Sequence, residues 1–285
     1  MDSSVILGTT TFIYLLATVF YVAHVVFRNT PAGKVGFATI CVAVLANSAG
    51  IGLRWFESHQ QGIGYVPLSN MYESLVFFAL CIALLYIYIE LSQKTQHFGI
   101  YIVPFAFLVM AYGSFSAEFG KEIRPLLPAL QSNWLVAHVI TCFIGYAAFA
   151  VSCGMAIFYL IKKGRGSAST SNDNKEAISG SLSILRTIDI INYKMIVFGF
   201  IWLTAGIVTG AVWANSAWGT YWSWDPKETW SLITWFVYAL ALHARYTRGW
   251  DGFRMSVVSL VGFVSVIFTY YGVNFLLSGL HSYGG

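Results

Sequence analysis

A short aromatic segment between two long apolar runs holds the side chains best suited to binding chemistry. Residues 218–228 read Trp-Gly-Thr-Tyr-Trp-Ser-Trp-Asp-Pro-Lys-Glu. Single tryptophans are common at membrane interfaces, because an apolar ring and a polar edge are both accommodated there. So dense a cluster beside two carboxylates instead favours a flat platform for a large planar ligand, with an ordinary aromatic belt as the alternative. The residues concerned are Trp218, Trp222, Trp224, Asp225 and Glu228.

Two histidines could supply both axial ligands of a haem iron. His138 lies near the start of one apolar run, and His281 follows the last run. Neutral imidazoles are suited to this role. His243 lies deep in a third run, so it cannot ligate the same metal: it binds a second ligand within the membrane or lies at the interface beside Arg245. A hydrogen-bonded structural histidine is the alternative for a histidine in a span.

Asp225 and Glu228 also have a purely structural interpretation. With Asp225 at the N-cap, Pro226 at the first helical position and Glu228 at the third, the sequence predicts a capping box. The two carboxylates would then only hold the helix start and favour its dipole. At about 1.5 Å per residue, His243 lies roughly 27 Å along that helix.

Composition decides the class of protein that must position these residues. The chain is 57% hydrophobic and 10% charged, with a mean hydropathy of +0.67, outside the range of soluble domains. A helix needs about 20 mostly apolar residues to cross a bilayer. We predict an all-α polytopic membrane protein with about eight spans, because hydrocarbon requires each span to satisfy its own backbone. The predicted spans are 4–27, 35–56, 71–91, 98–116, 134–161, 195–214, 227–246 and 255–277.

Charge placement predicts the orientation of these spans. Of the 16 Lys and Arg residues, 12 follow odd-numbered spans and four follow even-numbered spans. The positive-inside rule then puts both termini and the aromatic segment, between spans six and seven, on the trans (periplasmic or lumenal) face. His138 and His281 would lie at the same level. The net charge of +4 reflects this bias, and no basic cluster calls for nucleic acid.

The connections between spans complete the predicted organisation of a single integral membrane domain over residues 1–285. A polar cytoplasmic loop is expected at 162–194, with a short surface helix at 182–194, and an external Trp-rich loop at 215–228. The four cysteines all lie inside apolar runs, and no Cys-x-x-Cys occurs. The chain therefore carries no thiol–disulfide relay and no thiolate metal site of its own.

These residues carry a resemblance to a known family. Trp218-Gly219-x-x-Trp222-x-Trp224-Asp225-Pro226-x-Glu228 resembles the Trp-Trp-Asp (WWD) signature of haem-handling proteins of cytochrome c biogenesis. Over essentially its whole length the chain is similar to the CcsA/ResC component, sometimes named CcsB, of the system II cytochrome c synthase. The likeness includes the segments 67–74, 134–138, 242–245 and 279–284.

The resemblance implies a haem-transport function for the matching residues. His138 and His281 match the outer histidines that ligate haem b, held at the site of Trp218, Trp222, Trp224, Asp225 and Glu228. We assign the catalytic role to His138, His281 and Asp225. His243 matches the intramembrane histidine that holds haem during its passage from the cytoplasmic side. The family presents haem to apocytochrome c bearing Cys-x-x-Cys-His, and two thioether bonds form between its thiols and the haem vinyl groups.

The resemblance also implies partners. The inner haem site takes its second histidine from a CcsB/ResB-type membrane partner, and a thiol-reducing thioredoxin-like protein belongs to the pathway. Nothing in this chain looks like that partner, so we expect the chain alone to be inactive as a cytochrome c haem lyase. His24, at the same predicted depth as His243, is the alternative ligand within one chain. The membrane would be a bacterial cytoplasmic membrane or a thylakoid membrane.

Two other classes of function stay open at this point. A membrane b-type cytochrome in quinone-linked electron transfer would also bind haem through histidines. Such proteins usually place haem ligands within one helix bundle, whereas here the outer pair flanks a loop. A small-solute transporter would predict intramembrane charges or broken helices, which the spans largely lack.

Overall fold

The computed structural model describes residues 2–116, 119–168 and 175–277, apart from the side chains of 165–168 and 175–179. Within these ranges every regular element is a helix, so the predicted all-α class is confirmed. A 3₁₀ turn at Pro128–Leu130 precedes α5, and a π-helical turn at Phe268–Gly272 joins α8 to α9. The α-helices are α1 (Ser3–Val26), α2 (Thr30–Gln60), α3 (Met71–Gln93), α4 (Gly99–Phe115), α5 (Asn133–Ala168), α6 (Lys175–Trp218), α7 (Pro226–Arg248), α8 (Gly252–Ile267) and α9 (Val273–Leu276).

Within the described ranges, six helical stretches are long and apolar enough to cross a membrane. They comprise α1, α2, α3, most of α5 and α6, and α8 continued through the π turn into α9. α4 is apolar but has only 17 residues, and α7, with 23 residues, is less apolar. Both coincide with predicted spans, but the number of eight spans and the sides of the termini stay predictions.

Side-chain caps fix where several of these helices begin. The Asn29 side chain accepts from the backbone N–H of Ala32 at the start of α2. Asp225 and Glu228 form the predicted capping box at the start of α7, which is thereby confirmed. These bonds satisfy N–H groups that have no partner within the helix.

The connection at residues 182–194 is helical but is not the separate short helix that was predicted. Residues 182–194 are helical, as predicted, but they are continuous with α6 rather than a separate element. No breaker interrupts the helical spacing between Leu182 and the apolar run that follows, since the nearest glycine is Gly180. The location of this stretch on a cytoplasmic surface stays a prediction, as does the single domain over 1–285.

The described residues form two compact units. Unit 1 contains the chain up to Ala147 together with Ala205–Trp222, and unit 2 contains Ala148–Thr204 and the chain from Ser223 onward. The long helices α5 and α6 contribute residues to both units.

In unit 1, α1 packs against α2 and α4, and α3 packs against α2 and α4. The helices approach closely: a Cβ on Gly50 of α2 would lie 2.5 Å from Leu7 Cδ2 of α1. The hydroxyl groups of Thr11 and Ser114 hydrogen-bond across α1 and α4 at 2.8 Å. Small residues and buried hydroxyls therefore hold the bundle together.

In unit 2, α7 packs against α8 and the π turn through buried hydroxyl groups. Thr234 Oγ1 of α7 lies 3.0 Å from Thr269 Oγ1, which in turn donates to the carbonyl of Trp230. At the other end of α7, Arg245 makes a two-point ion pair with Asp189 of α6, with N···O distances of 3.1 and 2.7 Å. Both ends of α7 are thus held within the unit.

Candidate functional site

The aromatic segment, residues 218–228, starts at the end of α6. Trp218 is the last residue of α6, and Gly219 follows with a φ of 78°, which glycine adopts without strain. Trp218 packs against Trp213, with ring centroids 4.9 Å apart and planes inclined by 62°. Trp213 is 2% exposed, and its indole N–H donates to the Ala129 carbonyl over 2.9 Å. The end of α6 therefore carries an anchored tryptophan pair in unit 1.

His138 approaches the same pair from α5. Its ring stacks on Trp213, with 5.9 Å between centroids and 19° between planes. Its Nδ1 lies 2.8 Å from the carbonyl oxygen of Gly206 on α6. A carbonyl oxygen only accepts, so Nδ1 carries the proton and Nε2 holds the lone pair that a metal uses. The structure thus brings His138 and Trp218 into contact with the same tryptophan, Trp213.

Two glycines on α6 make room for this arrangement. A Cβ on Gly210 would lie 2.6 Å from His138 Nδ1, and a Cβ on Gly206 would lie 2.6 Å from Cys142 Sγ. Both distances are shorter than van der Waals contact, so only glycine fits at either position without displacing the side chain of α5 that faces it. Sequence reasoning missed Trp213, Gly206 and Gly210, although the four-residue spacing of the glycines is typical of close helix contact.

Trp224 lies in unit 2, in an unusual backbone conformation. Its φ is +60°, in the left-handed region, which costs a non-glycine residue about 1–2 kcal/mol. Its side chain is 68% exposed, whereas the next residue, Asp225, is buried. One oxygen of Glu228, Oε2, accepts from the backbone N–H of Ser223 at 2.8 Å and of Asp225 at 3.2 Å. The capping carboxylate therefore fastens the peptide groups on both sides of Trp224.

Trp222 and His281 are the remaining residues predicted for the outer site. Trp222 is half-buried and belongs to unit 1. His281 lies outside the described residues, so its role as second ligand stays a prediction. Within the described ranges, no group of three or more His, Cys, Asp and Glu side chains is arranged to hold a metal ion. A haem iron takes two ligands from the protein. The Nε2 nitrogen of His138 is able to supply one of them.

His243 is an exposed residue of α7 in unit 2. It shares a helix face with Phe236 and Leu240, which are 51% and 65% exposed, because the three residues recur at helical spacing. The imidazole of His243 therefore lies within an exposed apolar face of α7. Its role as a haem ligand stays a prediction.

His24, the alternative inner ligand, is buried in unit 1. Its Nδ1 lies 2.9 Å from the Asn29 carbonyl oxygen, and its ring stacks on His97 with 4.9 Å between centroids. A role of His24 as the ligand opposite His243 stays a prediction.

The residues from Asn70 to Glu73, within the matching segment 67–74, have a structural role. The Asn70 side chain caps α3 by accepting from the Glu73 backbone N–H. The Glu73 carboxylate pairs with Arg54 over 2.7 Å, and both side chains are almost fully buried. Arg54 also lies over the ring of Tyr72. The motif thus joins α2 to the start of α3 in unit 1.

Comparisons of sequence identify relatives over most of the chain. The family model described as "Cytochrome C assembly protein" matches residues 68–281. The cytochrome c biogenesis protein CcsA of Guillardia theta is 40% identical over 262 residues, which cover 88% of this chain and 85% of that protein. CcsA of Synechococcus elongatus is 39% identical and covers 98% of this chain and 96% of the relative. CcsA of Gloeobacter violaceus is 37% identical, with coverage of 95% and 92%.

Among solved structures, the chain resembles "Cytochrome c Heme Lyase CcmF" with a TM-score of 0.68 and 17% identity. The match covers 98% of this chain and 48% of CcmF, so the chain spans about half the length of that protein. At this identity the likeness concerns the fold alone.

Proposed function

Because this chain belongs to the cytochrome c assembly protein family, we propose that it carries haem to the outer membrane face and presents it to apocytochrome c. Family membership and the apolar helices make it a multi-pass membrane protein of cytochrome c maturation. Beyond this general function, we propose the route of the haem, the residues that hold it and its covalent attachment to Cys-x-x-Cys-His.

The observation that carries the proposal is the set of contacts made by His138. Its Nδ1–H donates to Gly206, so that Nε2 is the basic nitrogen, and its ring is packed on Trp213 beside Trp218. Histidine ligands of metals generally donate their second ring N–H to a carbonyl or carboxylate, which fixes ring orientation and tautomer. We assign His138 as one axial ligand of haem b and His281 as the other.

The aromatic segment would hold the porphyrin by its faces and edges. Trp218, Trp222 and Trp224 supply large rigid rings, and aromatic rings favour stacked or edge-on contacts with a planar ligand. Asp225 and Glu228 hold the start of α7, where Trp224 projects. In this arrangement the protein orients the haem and controls the access of water, while the addition chemistry belongs to the haem and the thiols.

In the attachment step, each cysteine thiol adds across one haem vinyl group. A carbon–sulfur bond forms at one vinyl carbon, and the thiol proton is gained by the other carbon, so no external oxidant or reductant is consumed. Ligation by two histidines keeps the iron occupied until the histidine of the apocytochrome motif displaces one of them. The cysteines must enter as free thiols, for which a thioredoxin-like reductant is expected in the pathway.

The inner part of the route would involve His243 and a partner chain. His243 lies on an exposed apolar face of α7, where a CcsB/ResB-type subunit within the membrane can supply the second axial histidine. The chain alone would then bind haem incompletely and have no synthase activity. Synthase activity reconstituted from this chain without a partner would contradict this part of the proposal.

The proposal is tested by haem content and by covalent attachment. Wild type, His138→Ala and His59→Ala are expressed with the partner subunit and an apocytochrome c. His59 is a matched control, because its Nδ1 also donates to a helix carbonyl, that of Trp55 at 2.9 Å, on an exposed surface. We expect protohaem in the wild type and in His59→Ala, and a clear loss of bound haem and of haem-stained cytochrome in His138→Ala.

The same experiment separates the two haem-binding candidates. A b-type cytochrome would show a protohaem spectrum that depends on its histidines but would leave covalent attachment to the apocytochrome unchanged. Wild-type protein without any protohaem signal would count against both.

A further inference from the structure

Trp224 has a backbone conformation that its own chemistry does not favour. Three described non-glycine residues have positive φ: Arg28, Lys94 and Trp224. Arg28 and Lys94 lie just after helix ends, where left-handed residues are common. Trp224 instead precedes the N-cap of α7, where no helix end calls for a left-handed residue. Something other than helix termination must therefore hold Trp224 in this conformation.

The Glu228 carboxylate provides the restraint. Its Oε2 accepts from the backbone N–H of Ser223 and of Asp225, at 2.8 and 3.2 Å, and lies 3.3 Å from the Ser223 hydroxyl. Converging N–H groups around one anionic oxygen form the concave arrangement known as a nest, which requires a left-handed residue in the turn. Only the Asp225 bond belongs to the capping box. The bond to Ser223 extends the restraint across Trp224.

The restraint determines where the indole ring points. Trp224 is 68% exposed, whereas Asp225, which follows it, is buried. A relaxed backbone with negative φ at this position would turn the Cα–Cβ bond toward a different direction. The free energy of the strain is thus offset by charge-assisted hydrogen bonds to Glu228.

We propose that Glu228 is a positioning residue of the haem platform, which acts through Trp224 by holding its backbone left-handed and its ring outward. The inference rests on the proposed function, since it assumes that haem contacts the aromatic segment. It goes beyond helix capping, because it assigns to Glu228 an effect on the bound haem that another cap of equal strength would not have.

The test compares the amount and absorption spectrum of bound haem in four variants of the full chain, co-expressed with its partner. Glu228→Gln retains an acceptor oxygen at the same reach but loses the charge that strengthens both hydrogen bonds, so it should lose less bound haem than Glu228→Asp does. Glu228→Asp keeps the negative charge at the helix start but is one methylene too short to span both N–H groups. We expect Glu228→Asp and Trp224→Ala each to reduce bound haem by at least about fivefold, in line with the loss of one stacking contact. In the double variant Glu228→Asp/Trp224→Ala, the loss should equal that of Trp224→Ala alone.

Asn29→Ala is the control for loss of an ordinary helix cap, because the Asn29 side chain accepts from the Ala32 N–H at the start of α2 and has no part in the platform. It should leave the haem spectrum unchanged. Losses that add up in the double variant, or wild-type haem in Glu228→Asp, would overturn the positioning role. If Trp224→Ala alone has no effect while His138→Ala removes haem, this inference fails and the proposed function stands. Wild type without haem would refute the proposed function itself.

Discussion

The replacement of Gly210 by alanine tests whether His138 is an oriented metal ligand. The new methyl carbon would lie 2.6 Å from His138 Nδ1, whereas ordinary van der Waals contact starts at 3.4 Å. The imidazole must therefore move away from α6 by about 0.8 Å. A displacement of this size away from α6 lengthens the Nδ1···O distance to Gly206, now 2.8 Å, by up to about 0.8 Å, which weakens or breaks the hydrogen bond.

The expected consequence is weaker haem binding by a chain that still folds. Loss of the hydrogen bond that orients a metal-bound histidine lowers metal affinity by about 10–100-fold. This factor corresponds to about 1.4–2.7 kcal/mol of binding free energy. The affinity can be measured as the rate and extent of haem transfer from the purified protein to a haem-scavenging apoglobin, with absorption spectra recorded before and after.

Gly52→Ala is the matched control for this substitution. Gly52 lies inside α2, and a Cβ placed there meets nothing within 4 Å. Both substitutions gain up to about 1 kcal/mol of helix propensity, so only the contact with His138 differs. If Gly210→Ala retains haem as well as Gly52→Ala does, His138 is not held by α6 in the way described and the reasoning fails.

Two further predictions concern the stability of unit 1. Glu73→Gln should lower the free energy of unfolding by about 3–5 kcal/mol, because the buried guanidinium of Arg54 loses its counter-charge. Thermal denaturation in detergent measures this loss. The double variant Arg54→Met/Glu73→Met, which removes both charges, should lose less stability. Gly99→Ala should cost about 1–3 kcal/mol by overpacking, since its Cβ would lie 2.6 Å from Tyr86 Oη. Gly8→Ala, with nothing within 4 Å of its Cβ, should keep or slightly raise the melting temperature, because alanine gains up to about 1 kcal/mol of helix propensity. Equal melting of both glycine variants would contradict the packing described.

Features that depend on neighbouring residues could be predicted from the sequence. The capping box of Asp225 and Glu228 is an example, because its hydrogen bonds join residues within one turn. The helical class and the positions of the apolar helices also follow from local composition. The length of α6 was less predictable, since the polar residues before the apolar run suggested a separate surface helix, whereas the helix is continuous from Lys175.

Features that depend on pairing across the chain could not be predicted. The hydrogen bond from His138 to Gly206 joins residues 68 positions apart, and no local pattern gives the register of α5 against α6. The pairing of Arg54 with Glu73 was equally hidden, because Arg54 counted only as one basic residue of an outer connection. Trp213, which contacts both His138 and Trp218, reads in the sequence as one more aromatic residue of a span.

The π-helical turn at Phe268–Gly272 makes the orientation of the later side chains depend on the number of residues in this segment. A π turn contains one residue more than an α turn, so it rotates all later side chains by about 100° around the helix axis. With that phase, the Asn274 side chain faces α7 and accepts a hydrogen bond from Lys227 at 2.7 Å. Removal of one residue here would preserve hydrophobicity and helicity, yet it would turn Asn274 away from the helix that begins at the aromatic segment. Single-residue deletions in this turn should therefore be tolerated far less well than substitutions on the exposed face of α8.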